Sequence, residues 1–186
     1  MRFPKHNLSG FSLIELLIAI AIIGIMTAAV VPFMQRMKTG YERTQFIARV
    51  NSLSQTAWQQ AIITGAVHRV LFKMNERTAV VERDVSKSSL AKQLDFKSIP
   101  VEGSSMSWPA SIEIRQFIIA GFDEMKRSAS GRTKTVWFYV IPDGMTQAVT
   151  INGVDKDQIV ENKPKQFGLV LNPFFAQFKV YDVFQK

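Results

Sequence analysis

Few side chains in this 186-residue chain are equipped for chemistry. There is no cysteine, which removes disulfides, thiolate metal sites and cysteine nucleophiles together. The two histidines stand apart: His6 lies in a short polar leader, and His68 is alone in a predicted strand. One imidazole without a second ligand does not hold a metal. No serine occupies a nucleophile elbow or neighbours a suitable base. The stretch GRTKT (131–135) has the flavour of a phosphate loop but lacks its first glycine. Asp143, Asp155, Asp157 and Glu161 would suit calcium only with the alternating spacing of a calcium loop, which is missing, so turn chemistry is the simpler reading. These residues lead us to expect no enzyme, no cofactor and no metal. The conspicuous group is Glu15, which interrupts the apolar run GFSLIELLIAIAIIGIM (Gly10–Met26). An ionised group well inside a membrane helix costs about 2.5–3.5 kcal/mol on insertion scales, so Glu15 calls for a partner.

The elements that would position Glu15 are unusual in their own right. Residues 1–10, MRFPKHNLSG, carry Arg2 and Lys5 and no acid. The next 23 residues, 11–33, have Glu15 as their only formal charge. As a helix they extend roughly 34 Å, enough to cross a hydrocarbon core of about 30 Å. The basic flank places the N-terminus in the cytoplasm and the C-terminal part outside it. A conventional secretory signal, cut after the small residues Thr27–Ala29 so that the chain starts at Val30, is the alternative. It leaves Glu15 without a role and requires a new structural unit to begin at Val30.

The pattern downstream argues for continuity. Met37, Tyr41, Thr44, Ile47, Val50, Leu53, Ala57, Trp58, Ala61 and Ile62 recur at spacings of three and four, one stripe of a helix. Arg36, Lys38, Glu42, Arg43, Arg49 and Gln59 fall mostly off it. Pro32 is expected to bend this helix without ending it, and Gly65 to cap it. Residues 11–64 therefore read as one long helix, apolar all round in its first half and one-faced in its second. From Gly65 onward the period becomes two. Strands are expected at 67–74 and 78–84 as a hairpin, briefly near Phe96–Ile99, across Ser111–Phe117, at 135–141, and within 166–173 and 175–184. The stretch 85–106 reads as a loop and 124–134 as a connector, and Pro142-Asp143-Gly144 closes the 135–141 strand. The fold class is α+β: a long N-terminal helix packed on a C-terminal antiparallel sheet or sandwich. The segments are 1–10, a leader; 11–33, a membrane span; 34–64, an amphipathic helix; and 65–186, a β-rich domain. The net charge of +8 and the pI near 9.9 come from basic residues in turn-like places, as a solvated surface requires.

The order basic leader, Gly10, aromatic Phe11, Glu15 and apolar helix resembles the class III prepilin signal of type IV pilins and pseudopilins. Pro32 matches a position where such helices often bend, whereas Ser9 stands before the glycine where many leaders have Lys or Arg. The stretch AWQQAIITGAVHRVLFKMNERTAVVERD and the C-terminal pair VWFYVIPDGMTQAVTI and FGLVLNPFFAQFKVYDV are similar to the GspH/FimT type, the H-type minor pseudopilins of type II secretion. That resemblance implies cleavage between Gly10 and Phe11 by a prepilin peptidase, N-methylation of Phe11, and an assembly role for Glu15 opposite the Phe11 ammonium of a neighbouring subunit. It also implies a single-pass protein of the bacterial inner membrane with its sheet domain in the periplasm. The implied partners are other minor and major pseudopilins, an inner-membrane assembly platform and, before assembly, the lipid bilayer. The function implied is that of a subunit near the tip of a periplasmic pseudopilus that drives export of folded proteins. Two alternatives stay open at this level: a FimT-like minor type IV pilin acting in pilus assembly or DNA uptake, and a conventionally secreted binding protein. The C-terminal stretch FFAQFKVYDVFQK has two lysines and one acid, a poor match to a nucleic-acid surface.

Overall fold

The computed structural model describes residues 12–38, 40–86, 94–127 and 135–186; within the first helix the side chains at 29 and 31–38 lie outside that description. The leader, Gly10 and Phe11 therefore lie outside the described residues, as do parts of the predicted loop (87–93) and connector (128–134). The chain forms two compact units, residues 1–39 and 40–186.

The first unit contains one helix, α1 (Leu13–Lys38), of 26 residues. It runs through Pro32 without a break. Its large apolar side chains are exposed along the described length: Leu13, Ile14, Leu17, Ile20 and Ile23 all retain more than half of their surface. Among the described residues no helix is long and apolar enough to cross a membrane. Membrane crossing thus rests on the sequence of 11–33.

The second unit begins at Gly40, and here the expectation of one helix over 11–64 is corrected. The second helix, α2, runs Tyr41–Thr64 and starts from Gly40 in the left-handed region, φ 92°. A residue with a Cβ is strained there, so glycine makes the interruption inexpensive. The apolar period resumes at Tyr41, and periodicity alone does not register a break that preserves phase. Gly65, φ 61°, ends α2 as expected and donates its backbone N–H to Ala61.

Among the described residues ten strands follow, in two antiparallel sheets. The first joins β1 (His68–Lys73), β2 (Thr78–Asp84), β3 (Phe96–Ser98), β4 (Ser105–Ser107) and β7 (Thr135–Val140). Its order is β3-β2-β1-β7, with β4 also on β2. The second joins β5 (Ile112–Ile119), β6 (Phe122–Asp123), β8 (Val149–Val160), β9 (Lys163–Asn172) and β10 (Gln177–Tyr181), in the order β10-β9-β8-β5-β6. α2 packs against β1, β2, β4 and β7 of one sheet and β5 and β10 of the other. Between them Phe46, Phe72, Phe117, Phe138 and Phe167 are fully buried. Their rings meet edge-on or tilted, Phe72 to Phe117 at 5.3 Å and Phe46 to Phe167 at 5.9 Å, the geometry aromatic quadrupoles favour.

The strand expectations at 67–74, 78–84, 96–99, 111–117 and 135–141 are met, and the Pro142 turn closes on Gly144 at φ 83°. Three strands escaped the sequence reading, β4, β6 (Phe122–Asp123) and β8. β4 is only three residues long. β8, the longest strand, is buried at every position from Val149 to Asp155, so it has no alternation, and its Thr150, Asn152 and Gly153 look like turn residues. The helix stripe also shifts: Phe46, Val50, Leu53, Ser54, Ala57 and Ala61 are buried, whereas Tyr41, Thr44 and Ile62 are exposed.

Candidate functional site

Glu15 occupies the first turn of α1, where a carboxylate complements the unpaired N–H groups of the helix end. Its Oε2 accepts from the backbone N–H of Ser12 at 3.1 Å and from the Ser12 hydroxyl at 3.3 Å. The Ser12 Oγ in turn accepts from the Glu15 N–H at 3.3 Å. This is a reciprocal capping box, Ser-x-x-Glu, in which each side chain satisfies the other's backbone donor. The sequence carried that signal in S12-L13-I14-E15, and reading Glu15 only as a misplaced charge overlooked it. Both residues are exposed, so the carboxylate keeps acceptor capacity for another cation. Gly10 and Phe11, the expected cleavage and methylation positions, precede this cap directly in sequence. Pro32 lies within continuous helix, its side chain outside the described residues.

The other residues considered for chemistry are dispersed. Asp143 Oδ1 accepts from the Met145 N–H at 2.9 Å and shapes the β7–β8 turn. Asp155 is buried in β8 and accepts from the Asp157 N–H at 3.0 Å. Glu161 lies with Asn162 in the β8–β9 turn, both at positive φ, 50° and 60°, the signature of a two-residue type I′ hairpin. Among the described residues no group of three or more His, Cys, Asp or Glu is placed to hold a metal ion. His68 is fully buried at the start of β1. Its Nδ1 donates to the Ala66 carbonyl at 2.9 Å, and Nε2 has no partner. Burial holds its pKa below the usual value; the Ala66 carbonyl opposes that shift and the Arg83 charge adds to it.

The C-terminal stretch is fixed to the domain. Arg43 donates to Asp182 at 2.9 Å, and Lys165 lies 3.7 Å from the same carboxylate. Asp182 titrates below the ordinary carboxylate range, chiefly through the Arg43 hydrogen bond and then through the Lys165 charge. Asn152, fully buried, donates to the Gln185 carbonyl at 2.7 Å and accepts its N–H at 2.9 Å. Gly168 lets this tail lie close: a Cβ there would stand 2.6 Å from the Val183 carbonyl oxygen. At the β10 edge of this sheet, the Phe178 N–H donates to Asn51 of α2 at 2.6 Å, which occupies an edge donor that would otherwise be free.

Residues 5–31 match the family model of the prokaryotic N-terminal methylation motif, a span containing Gly10, Phe11 and Glu15. Among solved structures, the minor pseudopilin EpsH from the type 2 secretion system of Vibrio cholerae aligns with a TM-score of 0.51 at 10% identity. That alignment covers 78% of this chain and 99% of the other. The solution structure of Escherichia coli GspH aligns with a TM-score of 0.52 at 12% identity, over 76% and 89% of the two chains. No curated protein sequence matches the chain. The chain thus joins a prokaryotic N-terminal methylation motif to the fold found in the minor pseudopilin EpsH and in GspH.

Proposed function

We propose that this protein is a minor pseudopilin of a type II secretion system, assembling near the tip of a short periplasmic filament that drives folded proteins outward. The observation that carries the reading is the union, on one chain, of the methylation motif at 5–31 with the fold shared with EpsH and GspH. Before assembly the segment 11–33 holds the protein in the inner membrane as a single span, and the domain from Gly40 onward lies in the periplasm. A prepilin peptidase cuts between Gly10 and Phe11 and methylates the new terminus. Cleavage creates an ammonium at Phe11, one residue before the Ser12–Glu15 cap.

Glu15 then has two successive roles. In the isolated subunit the Ser12 N–H and hydroxyl satisfy its carboxylate, which lessens the cost of holding it in lipid. In the filament it pairs with the Phe11 ammonium of a neighbouring subunit, and the attraction is strong because the surroundings are apolar. The pair forms only in register, so it selects the correct stagger of subunits. The partners are other minor pseudopilins, the major pseudopilin and the inner-membrane assembly platform. Removing one member of a buried ion pair costs about 3–5 kcal/mol. Glu15→Ala is therefore expected to insert and fold as the parent does but to be nearly absent from sheared filaments and to fail to restore secretion. Normal incorporation and secretion by that variant would refute the mechanism.

A further inference from the structure

The end of the domain at which α2 stops has an unusual surface. There α2, the β7–β8 turn and the β9–β10 turn are bonded together. The Trp58 indole N–H of α2 donates to the Gly144 carbonyl at 2.6 Å, and a Cβ on Gly144 would stand 3.4 Å from Ile62 Cδ1. In the same β7–β8 turn the Thr146 N–H donates to the Pro173 carbonyl of the β9–β10 turn at 2.9 Å. Large apolar side chains on these linked segments stay exposed: Ile62, Ile141, Met145, Phe174 and Phe175. The two phenylalanines keep 62% and 67% of their surface, and both belong to the turn 173–176 rather than to a strand.

Local bonding holds these groups outward. Asn172 Oδ1 accepts from the Phe174 N–H at 2.9 Å, and the Asn172 carbonyl accepts from the Ala176 N–H at 3.0 Å. The Ile141 N–H donates to the Met145 carbonyl at 2.9 Å and closes the other turn. Charge is scarce here as well. Residues 57–67, 138–148 and 171–178 hold one charged side chain between them, Asp143, in a chain that is 20% charged. That carboxylate is turned to the Met145 N–H at 2.9 Å. Exposed aromatics and methionine with little charge around them have the composition of the dry centre of a protein–protein interface. A lipid anchor would call for cations beside the aromatics, and these segments contain no Lys or Arg. The occupant follows from the charge of the rest of the domain. Over residues 40–186 Lys and Arg outnumber Asp and Glu by 19 to 14. Two copies therefore repel each other where their basic faces meet. At this end they meet no cation, and a two-fold axis would set the same apolar groups on both sides, as an isologous contact requires.

We infer that the end of the domain bearing Ile62, Ile141, Met145, Phe174 and Phe175 pairs with the same end of a second copy of this chain. Phe174 and Phe175 of one copy are then covered by the apolar groups of the other. The pairing goes beyond the proposed function. It requires neither cleavage at Gly10 nor a membrane span, so either reading can fail without the other.

Because the chain contains no cysteine, a single introduced thiol reports on one surface alone. Full-length Phe175→Cys, co-expressed as two copies with different affinity tags, is treated in its own membranes with a short bismaleimide. Phe122→Cys, at an exposed residue of β6 followed closely by Asp123, Lys126 and Arg127, is the reference for random encounter. A band of twice the chain mass that contains both tags is expected at 175 and not at 122. Both positions are exposed, so this comparison leaves the core untouched. Met145→Glu in the Phe175→Cys background sets like charges across the axis and should reduce the band about tenfold. Equal dimer bands at 175 and 122 would show random collision and overturn the pairing. So would the absence of any product at 175. A product that joins residue 175 only to a different protein would overturn it as well, by identifying another occupant.

Discussion

α1 and α2 are both long helices, yet they solve opposite problems. α2 hides one face: Phe46, Val50, Leu53, Ala57 and Ala61 are essentially inaccessible against the two sheets, and its exposed face is mixed, with Arg49, Gln55 and Gln59 beside Tyr41, Ile62 and Ile63. α1 hides none of its described large apolar side chains. The difference teaches where each helix finds its stability. α2 draws on the domain's own core, so it is complete within one chain. Over residues 13–28 α1 is apolar on every side apart from Glu15, so it draws on no core of its own.

That contrast can be broken most severely in the core. Phe46→Ala removes a fully buried ring that meets Trp108 at 5.8 Å and Phe167 at 5.9 Å, and is expected to cost about 3–5 kcal/mol. Leu17→Ala, on the exposed surface of α1, should leave the domain's unfolding unchanged within about 0.5 kcal/mol. Urea unfolding followed by tryptophan fluorescence, in detergent for both variants, reads the difference. Equal midpoints would show that α2 does not depend on its own sheet as described.

A smaller loss tests the tail. Gly168→Ala would press its Cβ on the Val183 carbonyl and on Asn152 Oδ1, at 2.6 and 3.1 Å, and should cost about 1–3 kcal/mol while freeing residues 183–186 to proteolysis. Unaltered stability and proteolysis would mean that the tail does not lie where Asn152 holds it.

The smallest effect concerns pH. Burial lowers the pKa of His68 in the folded state, while the unfolded chain takes up its proton near the usual value of 6.5. The unfolded state therefore binds more protons between those two values. Stability should be undiminished above 6.5, decline as the pH falls toward the folded value, and stop declining from this group below it. His68→Leu should flatten that acid limb in urea midpoints measured across the range. An unchanged limb would assign the acid sensitivity to other groups, such as Asp182, whose lowered pKa predicts loss at more acidic pH.

How much of this could be read from residues alone depends on which signals were local. The β-branched and aromatic runs VLF and TVWFYV marked β1 and β7, and Gly65 marked the end of α2. The motif G10-F11-S12-L13-I14-E15 lies within the span that matches the prokaryotic N-terminal methylation motif. β8 was obscured because both of its faces are covered: Asn152 faces the C-terminal tail, and Gly153 makes room for Phe167, whose ring would stand 2.5 Å from an added Cβ. A strand that packs on both sides has no polar face to alternate with. Gly40 was hidden for the opposite reason, since the apolar period resumes in phase after it. The Ser12–Glu15 cap was present as a Ser-x-x-Glu spacing, but the charge in an apolar run drew the interpretation away from local hydrogen bonding.

The account stands on processing at the amino end, because the intermolecular role of Glu15 requires an ammonium at Phe11. Intact-mass and N-terminal peptide analysis of the protein purified from its own membranes tests this directly. The expected mature chain begins with N-methylated Phe11 and retains α1. A chain beginning at Val30 would contradict the account, because it would have lost Glu15 and most of the helix that the assembly needs.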